Sequence, residues 1–150
     1  MDYRKLYEIA LNFRKAIMEV KWNSDFHNLS DTMNHFPHGC CDDSADLFGY
    51  YLQHKHNIQS EQGNGIYRDD DPDNTTNHAF TILKDGTIID LTADQFSFFS
   101  DYLDGVYVGP ENDFYLALDR RRKFPHYDIT HDQRLLHDYK AIIEYLREYL

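Results

Sequence analysis

Hydrophobic positions recur at helical spacing in three segments of the chain. Residues 3–21 carry an apolar side chain every three or four positions, which predicts an amphipathic helix with Asp2 as its N-cap. Residues 41–54 and a final segment, 130–150, follow the same period. The three apolar faces consist of Leu6, Ile9, Ala10, Phe13, Ala16, Ile17 and Val20; of Ala45, Leu47, Phe48, Tyr51 and Leu52; and of Leu135, Leu136, Tyr139, Ile142, Ile143 and Leu146. Each face predicts contact with a shared core.

Strand patterns lie between the second and the last predicted helix. The Asp85-Gly86 dipeptide separates two apolar runs and is a strong hairpin signal. The Gly63-Asn64-Gly65 triplet interrupts an earlier run and indicates a β-bulge. The predicted strands are residues 58–67, 77–83, 87–91 and 105–109. Helices followed by strands and a closing helix predict an α+β fold with an antiparallel sheet.

The remaining segments are polar or irregular. Residues 22–39 are predicted to form a loop with a short helical turn near 30–35, and residues 68–76 a polar loop. Residues 92–104 are aromatic without a clear period. The basic run Arg120-Arg121-Arg122-Lys123 is interpreted as a solvated loop or helix end.

Composition and charge exclude several classes of protein. The 150 residues, 41% hydrophobic and 27% charged, fit one globular domain spanning 1–150. A net charge of −11 repels phosphate backbones and disfavours nucleic-acid binding. No signal peptide or membrane span is predicted, and two adjacent cysteines form no disulfide framework, so we expect a cytoplasmic protein without a membrane partner. The acidic stretch Asp69–Asn74 lacks the spacing and glycine of a calcium-binding loop, and we expect it to be solvated.

A thiol at a helix start is the first candidate for chemistry. Cys40 and Cys41 follow Gly39, where the loop must turn into the second predicted helix. The helix N-terminus favours the thiolate, because its free N–H groups and dipole stabilise negative charge. The alternative is a buried cysteine with a purely structural role.

An imidazole and a carboxylate follow on adjacent predicted strands. His78 stands at the start of one strand, and Asp90 near the end of the next. A hairpin turn at Asp85-Gly86 pairs residues whose numbers sum to about 171, which brings Asp90 within reach of His78. A carboxylate there can fix the imidazole tautomer. The spacing does not predict how close Cys41 lies to this pair.

Three short motifs together resemble the transglutaminase-like branch of the papain-like cysteine enzymes. They are Gly39-x-Cys41-x-Asp43-x-Ala45, His78-Ala79-Phe80 and Asp90-Leu91-Thr92, in that order along the chain. The resemblance covers roughly residues 37–95 and implies a papain-like fold, with the nucleophile helix packed on an antiparallel sheet. It implies Cys41 as nucleophile, His78 as base and Asp90 as the orienting carboxylate. The sequence departs from the family where Phe80 replaces its usual Trp, and no upstream Gln is available for an oxyanion hole.

The resemblance implies acyl transfer or hydrolysis at an amide bond, with a protein, peptide or other amide as substrate and no cofactor. Water as acceptor gives peptidase, amidase or deamidase activity, and an amine acceptor gives transglutamination. Cys40, Asn77 and Gln95 are candidates for oxyanion or support roles beside the triad.

Two alternatives remain open at the level of sequence. A catalytically silent protein-binding module of the same fold suits the acidic charge, which favours a basic partner. A zinc site built from His35, His38 and either Cys40 or Cys41 is the second alternative. It lacks the second ligand pair that structural zinc sites require.

Overall fold

A computed structural model describes residues 2–68, 75–99 and 104–149 of the chain. The described part contains four α-helices and one five-stranded antiparallel sheet. The helices are α1 (Tyr3–Trp22), α2 (Cys41–His56), α3 (Asp113–Leu116) and α4 (Gln133–Tyr149). The strands are β1 (Ser60–Arg68), β2 (Thr75–Leu83), β3 (Ile88–Asp90), β4 (Tyr107–Gly109) and β5 (Asp119–Phe124). The predicted α+β class with an antiparallel sheet is therefore confirmed.

The sheet runs in the order β4-β3-β2-β1-β5, with every neighbouring pair antiparallel. The β2–β3 hairpin pairs Thr81 with Ile89 and Ile82 with Ile88, one residue from the register that the turn signal predicts. The register between β1 and β5 shifts between Asn64 and Ile66, where the Gly-Asn-Gly triplet predicts a bulge.

Two apolar clusters lie on opposite faces of the sheet. Helices α1 and α2 pack on one face, and α4 packs mainly on α1; buried side chains such as Phe13 and Phe48 belong to the same cluster as Leu83 and Ile89 of the sheet. An aromatic cluster covers the other face. Its buried members are Phe80, Ile88, Ala93, Phe96, Phe99, Tyr107, Phe114, Tyr115 and Leu118. Burial of large side chains on both faces supplies the main driving force for folding.

The basic run is an edge strand and not the predicted loop or helix end. Residues Arg120, Arg121, Arg122 and Lys123 belong to β5, which pairs with β1 at the edge of the sheet. Their side chains are exposed, so the strand shows no alternation of apolar and polar positions. The pairing with β1 fixes the strand, and no local pattern could have predicted it.

Smaller differences concern boundaries. A 3₁₀ turn at Thr32–His35 confirms the helical turn predicted near 30–35. Helix α4 begins three residues later than predicted, because Asp132 accepts a hydrogen bond from the Leu135 N–H and caps it. The described part of the segment 92–104 contains 3₁₀ turns at Ala93–Gln95 and Ser97–Phe99, and helix α3 was not predicted. Residues 69–74 of the predicted acidic loop and 100–103 of the aromatic segment lie outside the described residues.

No helix in the described ranges is long and apolar enough to cross a membrane.

Candidate active site

Cys41 is the first residue of helix α2, as the sequence predicts. Gly39 precedes it at φ +71°, a left-handed conformation that glycine adopts without strain. No side chain caps the start of α2, so the N–H groups of its first turn point outward without a helical partner. Cys41 is partly exposed, and its Sγ lies 3.7 Å from the backbone oxygen of Asn77, to which it donates. The thiol therefore lies at a helix N-terminus beside the strand that carries His78.

His78 and Asp90 form a buried pair. The imidazole Nε2 lies 2.6 Å from Oδ2 of Asp90, and both side chains are 0% exposed. His78 is on β2 and Asp90 on β3, so the hairpin brings them together as the turn signal predicts. Exclusion of water strengthens their electrostatic interaction.

The contact with Asp90 raises the pKa of His78. Burial alone lowers the pKa of an imidazole, but the charge and hydrogen bond of Asp90, together with interactions with Cys41, raise the pKa of His78 to about 9. The other ring nitrogen, Nδ1, makes no hydrogen bond of normal geometry within the described residues. His78 is thus held in one orientation through Nε2.

Both carboxylate oxygens of Asp90 accept hydrogen bonds. Oδ2 accepts from the Tyr115 hydroxyl at 2.7 Å as well as from His78, and Oδ1 accepts from the Thr92 N–H at 3.0 Å. Gln95 donates to the Thr92 hydroxyl at 3.0 Å, so it supports the aspartate indirectly. These bonds hold the carboxylate in one orientation toward the imidazole.

Tyr115 is the site residue that sequence reasoning missed. It belongs to the short helix α3, whose N-cap Asn112 accepts hydrogen bonds from the N–H groups of Phe114 and Tyr115. Asn112 followed by Asp113 was a usable helix-start signal. Nothing in the sequence, however, indicated that this helix would bring the Tyr115 hydroxyl within hydrogen-bond distance of Asp90.

Cys40 has a different environment from Cys41. It is 0% exposed within the main core, and burial raises the pKa of its thiol to about 12. It receives a weak hydrogen bond from Ser44 at 3.7 Å, and its carbonyl accepts the first helical bond of α2. The side chain of Cys40 therefore packs as a small apolar group, and its thiol faces no reacting group.

Asn77 and Gln95 contact the site in different ways. Asn77 is exposed and contributes its backbone oxygen to Cys41, while Gln95 reaches Asp90 only through Thr92. Cys41, His78 and Asp90 are brought together, with Asn77 and Gln95 beside them, whereas the Cys40 side chain packs in the main core.

An ion-pair network balances the charge near the thiol. Asp43 in the first turn of α2 accepts from the Arg134 guanidinium at 3.0 Å and from Thr32 at 3.1 Å. Burial and the neighbouring Asp42 nevertheless raise the pKa of Asp43, against the opposing effect of Arg134. Arg134 also binds the buried Asp31 at 2.9 Å. The arginine thus offsets the negative charge of the first turn of α2.

No group of three or more His, Cys, Asp or Glu side chains suited to a metal ion occurs in the described ranges. The zinc alternative therefore has no ligand cluster there to support it.

Comparison with known protein families, with curated proteins and with solved structures finds no match for this chain. The function must therefore be argued from the geometry of the site.

Proposed function

We propose that the chain is a cysteine-dependent enzyme that transfers or hydrolyses an acyl group at an amide bond. The observation that supports this most directly is the orientation of His78. Its Nε2 is held by Asp90 at 2.6 Å, and Nδ1 makes no hydrogen bond of normal geometry within the described residues. The Cys41 thiol at the helix N-terminus also interacts with His78 and helps to raise its pKa. A structural histidine would satisfy both ring nitrogens, whereas a catalytic one keeps one nitrogen for the reaction.

The reaction requires each group in turn. Cys41 gives its proton to His78 Nδ1, and the thiolate attacks the amide carbonyl carbon. His78 then protonates the leaving amine as the C–N bond breaks, leaving a thioester on Cys41. Water or a second amine attacks the thioester carbonyl and gives a proton to His78. The C–S bond then breaks, the acid or the new amide leaves, and His78 returns the proton to the Cys41 sulfur. Asp90 keeps the imidazolium oriented and stabilises its charge.

The first turn of α2 offers donors for the oxyanion. Its N–H groups have no helical partner, no side chain caps them, and the helix dipole points positively toward a developing negative charge. This assignment fills the role that the missing upstream Gln leaves open.

The proposal extends to fold type and setting. The order of a thiol-bearing helix followed by strands bearing His78 and Asp90 supports a papain-like, transglutaminase-like topology. The substrate is a protein, peptide or other amide. The absence of a disulfide framework in the sequence supports a reducing compartment such as the cytoplasm.

The experiment compares iodoacetamide labelling of the two adjacent cysteines in the native protein. Labelled peptides are quantified by mass spectrometry over time, and Cys40 serves as a control within the same chain. We expect Cys41 to react at least about 10-fold faster than Cys40, because only Cys41 is partly exposed and can pass its proton to His78. His78→Gln should slow Cys41 at near-neutral pH while circular dichroism shows the fold intact.

A second arm tests acyl transfer. The wild-type protein and Cys41→Ala are incubated with a library of peptide amides, with and without a primary amine acceptor. Product formation by the wild type alone supports the proposal and separates hydrolysis from transfer. The proposal is wrong if iodoacetamide labels Cys41 at the rate of an ordinary exposed thiol and if that rate is unchanged in a folded His78→Gln protein.

One observation favours the second candidate, a protein-binding module without activity. His78 and Asp90 are both 0% exposed, and the only member of the triad that solvent reaches is Cys41. A module of this kind would keep the pair for packing alone. Cys41 labelling that does not change in His78→Gln, together with no amide turnover, supports the binding module.

A further inference from the structure

A second hydrogen-bonded chain of three residues lies away from Cys41. Ser60 Oγ is 2.9 Å from Nε2 of His126, and His126 Nδ1 is 2.8 Å from Oδ1 of Asp46. The hydroxyl and the carboxylate therefore bind opposite nitrogens of one imidazole. This is the connectivity in which a histidine can accept a serine proton while a carboxylate stabilises the resulting positive charge.

Three separate elements assemble this cluster. Asp46 lies on α2, Ser60 begins β1, and His126 follows β5. Gly49, in the middle of α2, makes room for the imidazole, since a Cβ built there would lie 2.3 Å from two atoms of the His126 ring. Glycine inside a helix costs about 1 kcal/mol relative to alanine. Helix α2 thus contains a destabilising residue, Gly49, where the imidazole of His126 lies against the helix backbone.

The carboxylate is held from a second side. Gln62 donates to Asp46 Oδ1 at 2.9 Å, and both residues are buried. The side chains of His126 and Asp46 are 13% and 8% exposed, so the hydrogen bond between them is largely shielded from water. A shielded, doubly bonded carboxylate fixes the tautomer and the orientation of the imidazole.

The cluster opens into a cavity of about 610 Å³. Ser60, His126 and Asp46 line it together with polar and aromatic side chains. The other lining residues include Tyr50, Gln53, Gln59, Tyr127 and Asp128. This volume is in the range of small-molecule sites, and aromatic walls with a few polar groups are typical of them.

We propose that Ser60 is a second nucleophile, activated by His126 and positioned by Asp46, which hydrolyses small carboxylic esters bound in this cavity. Ser60 Oγ attacks the ester carbonyl and passes its proton to His126 Nε2. His126 protonates the departing alcohol as the C–O bond breaks, leaving an acyl group on Ser60. Water then attacks the acyl group, gives a proton to His126 and releases the acid, and the serine hydroxyl regains its proton.

The cavity also suggests the character of the ester. The exposed residues Gln53 and Gln59 line it, and we assign their amide N–H groups as donors to the oxyanion. Hydrogen bonds from Thr130 lower the pKa of Asp128, so its carboxylate is ionised and disfavours anionic esters. The ring of Tyr127, which is 51% exposed, offers a flat surface for an aromatic alcohol or acyl group, beside Tyr50, which is stacked on His54. Neutral aryl esters are therefore the expected class.

The test uses a fluorophosphonate probe on the full chain carrying Cys41→Ala, so that no signal depends on the proposed thiol enzyme. Phosphonylated serines are mapped by mass spectrometry, with Ser30 as the matched comparison, because this residue is exposed and its hydroxyl bonds Asn28 and no histidine among the described residues. We expect Ser60 to react at least 100-fold faster than Ser30, since a positioned general base contributes about 10²–10⁴ in rate. His126→Gln should remove most of that difference.

Ester turnover supplies an independent readout. Hydrolysis of p-nitrophenyl acetate by the Cys41→Ala protein should fall about 10-fold or more in Ser60→Ala, and should be unchanged in Ser30→Ala. Ser60→Ala removes one oxygen atom at a partly exposed position and should fold even if His126→Gln does not. Equal probe reaction at Ser60 and Ser30, or equal turnover in the two alanine variants, would overturn the proposal while leaving the proposed function of Cys41 untouched.

Discussion

Replacing Asp90 with asparagine removes the buried charge beside His78 and keeps the size of the side chain. In the wild type, Asp90 Oδ2 accepts from His78 and Tyr115, and Oδ1 accepts from Thr92. An asparagine has only one oxygen, so its amide nitrogen must face at least one of these buried donors. An unpaired buried donor costs about 1–3 kcal/mol. Asp90→Asn is therefore expected to destabilise the fold at every pH.

The loss of charge adds a second, pH-dependent effect. The pKa of His78 lies at about 9 in the folded protein, compared with its ordinary value of 6.5. A group whose pKa is raised by folding contributes stability that is fully present below about pH 6.5 and is lost as the pH rises through about 9. The difference in pKa corresponds to about 3 kcal/mol, because each pKa unit is worth about 1.4 kcal/mol. Without the Asp90 charge, burial dominates, and the pKa of His78 should fall to 6.5 or lower.

The assay is urea denaturation of the wild type and Asp90→Asn at about pH 6 and about pH 9.5. The destabilisation should be larger at the lower pH, by about 3 kcal/mol. Asp94→Asn is the control, since this carboxylate pairs with Arg14 at 2.8 Å and not with an imidazole. NMR titration of the His78 ring gives the pKa directly.

Two results would refute this reasoning. One is a destabilisation by Asp90→Asn that is the same at both pH values. The other is a His78 ring that still titrates near pH 9 in a folded Asp90→Asn protein, since the raised pKa is attributed chiefly to this carboxylate.

Three further predictions concern stability and use urea denaturation. Burial and a neighbouring buried carboxylate raise the pKa of Asp138 from 3.8 to about 8, so wild-type stability should fall by a few kcal/mol as the pH rises between these values. Asp138→Asn should flatten that slope, and an unchanged slope would contradict the assignment. Gly49→Ala should destabilise by about 1–3 kcal/mol, because the new Cβ would overlap His126; a more stable variant would contradict the close approach. Tyr115→Phe should cost about 1–2 kcal/mol through loss of its 2.7 Å bond to Asp90, and no loss would show that this bond contributes nothing.

Local patterns predicted most of the secondary structure correctly. The helix over residues 3–21 was found because seven apolar positions follow one period, and all seven are buried in α1. The hairpin was found because Asp85-Gly86 has few conformations other than a turn. By contrast, β5 carries a run of charged residues and owes its conformation to β1, so its sequence indicated no strand.

In the candidate active site, too, some features followed from the local sequence and others only from the tertiary structure. The pairing of His78 with Asp90 followed from the turn and the two-residue period of a strand, which are local properties. The choice between Cys40 and Cys41 came from the resemblance alone. The structure distinguishes their environments, because Cys40 is buried in the core and Cys41 is partly exposed.

The sequence by itself determined the amphipathic helices, the hairpin and the residues able to supply a thiol, an imidazole and a carboxylate. Those features depend on backbone periods, turn conformations and side-chain chemistry, all of which operate over a few residues. Only the tertiary structure decided that Tyr115 would bind Asp90, and that Ser60, His126 and Asp46 would form a second hydrogen-bonded chain. Such contacts join residues up to 80 positions apart, and their geometry is set by how the helices and the sheet pack together.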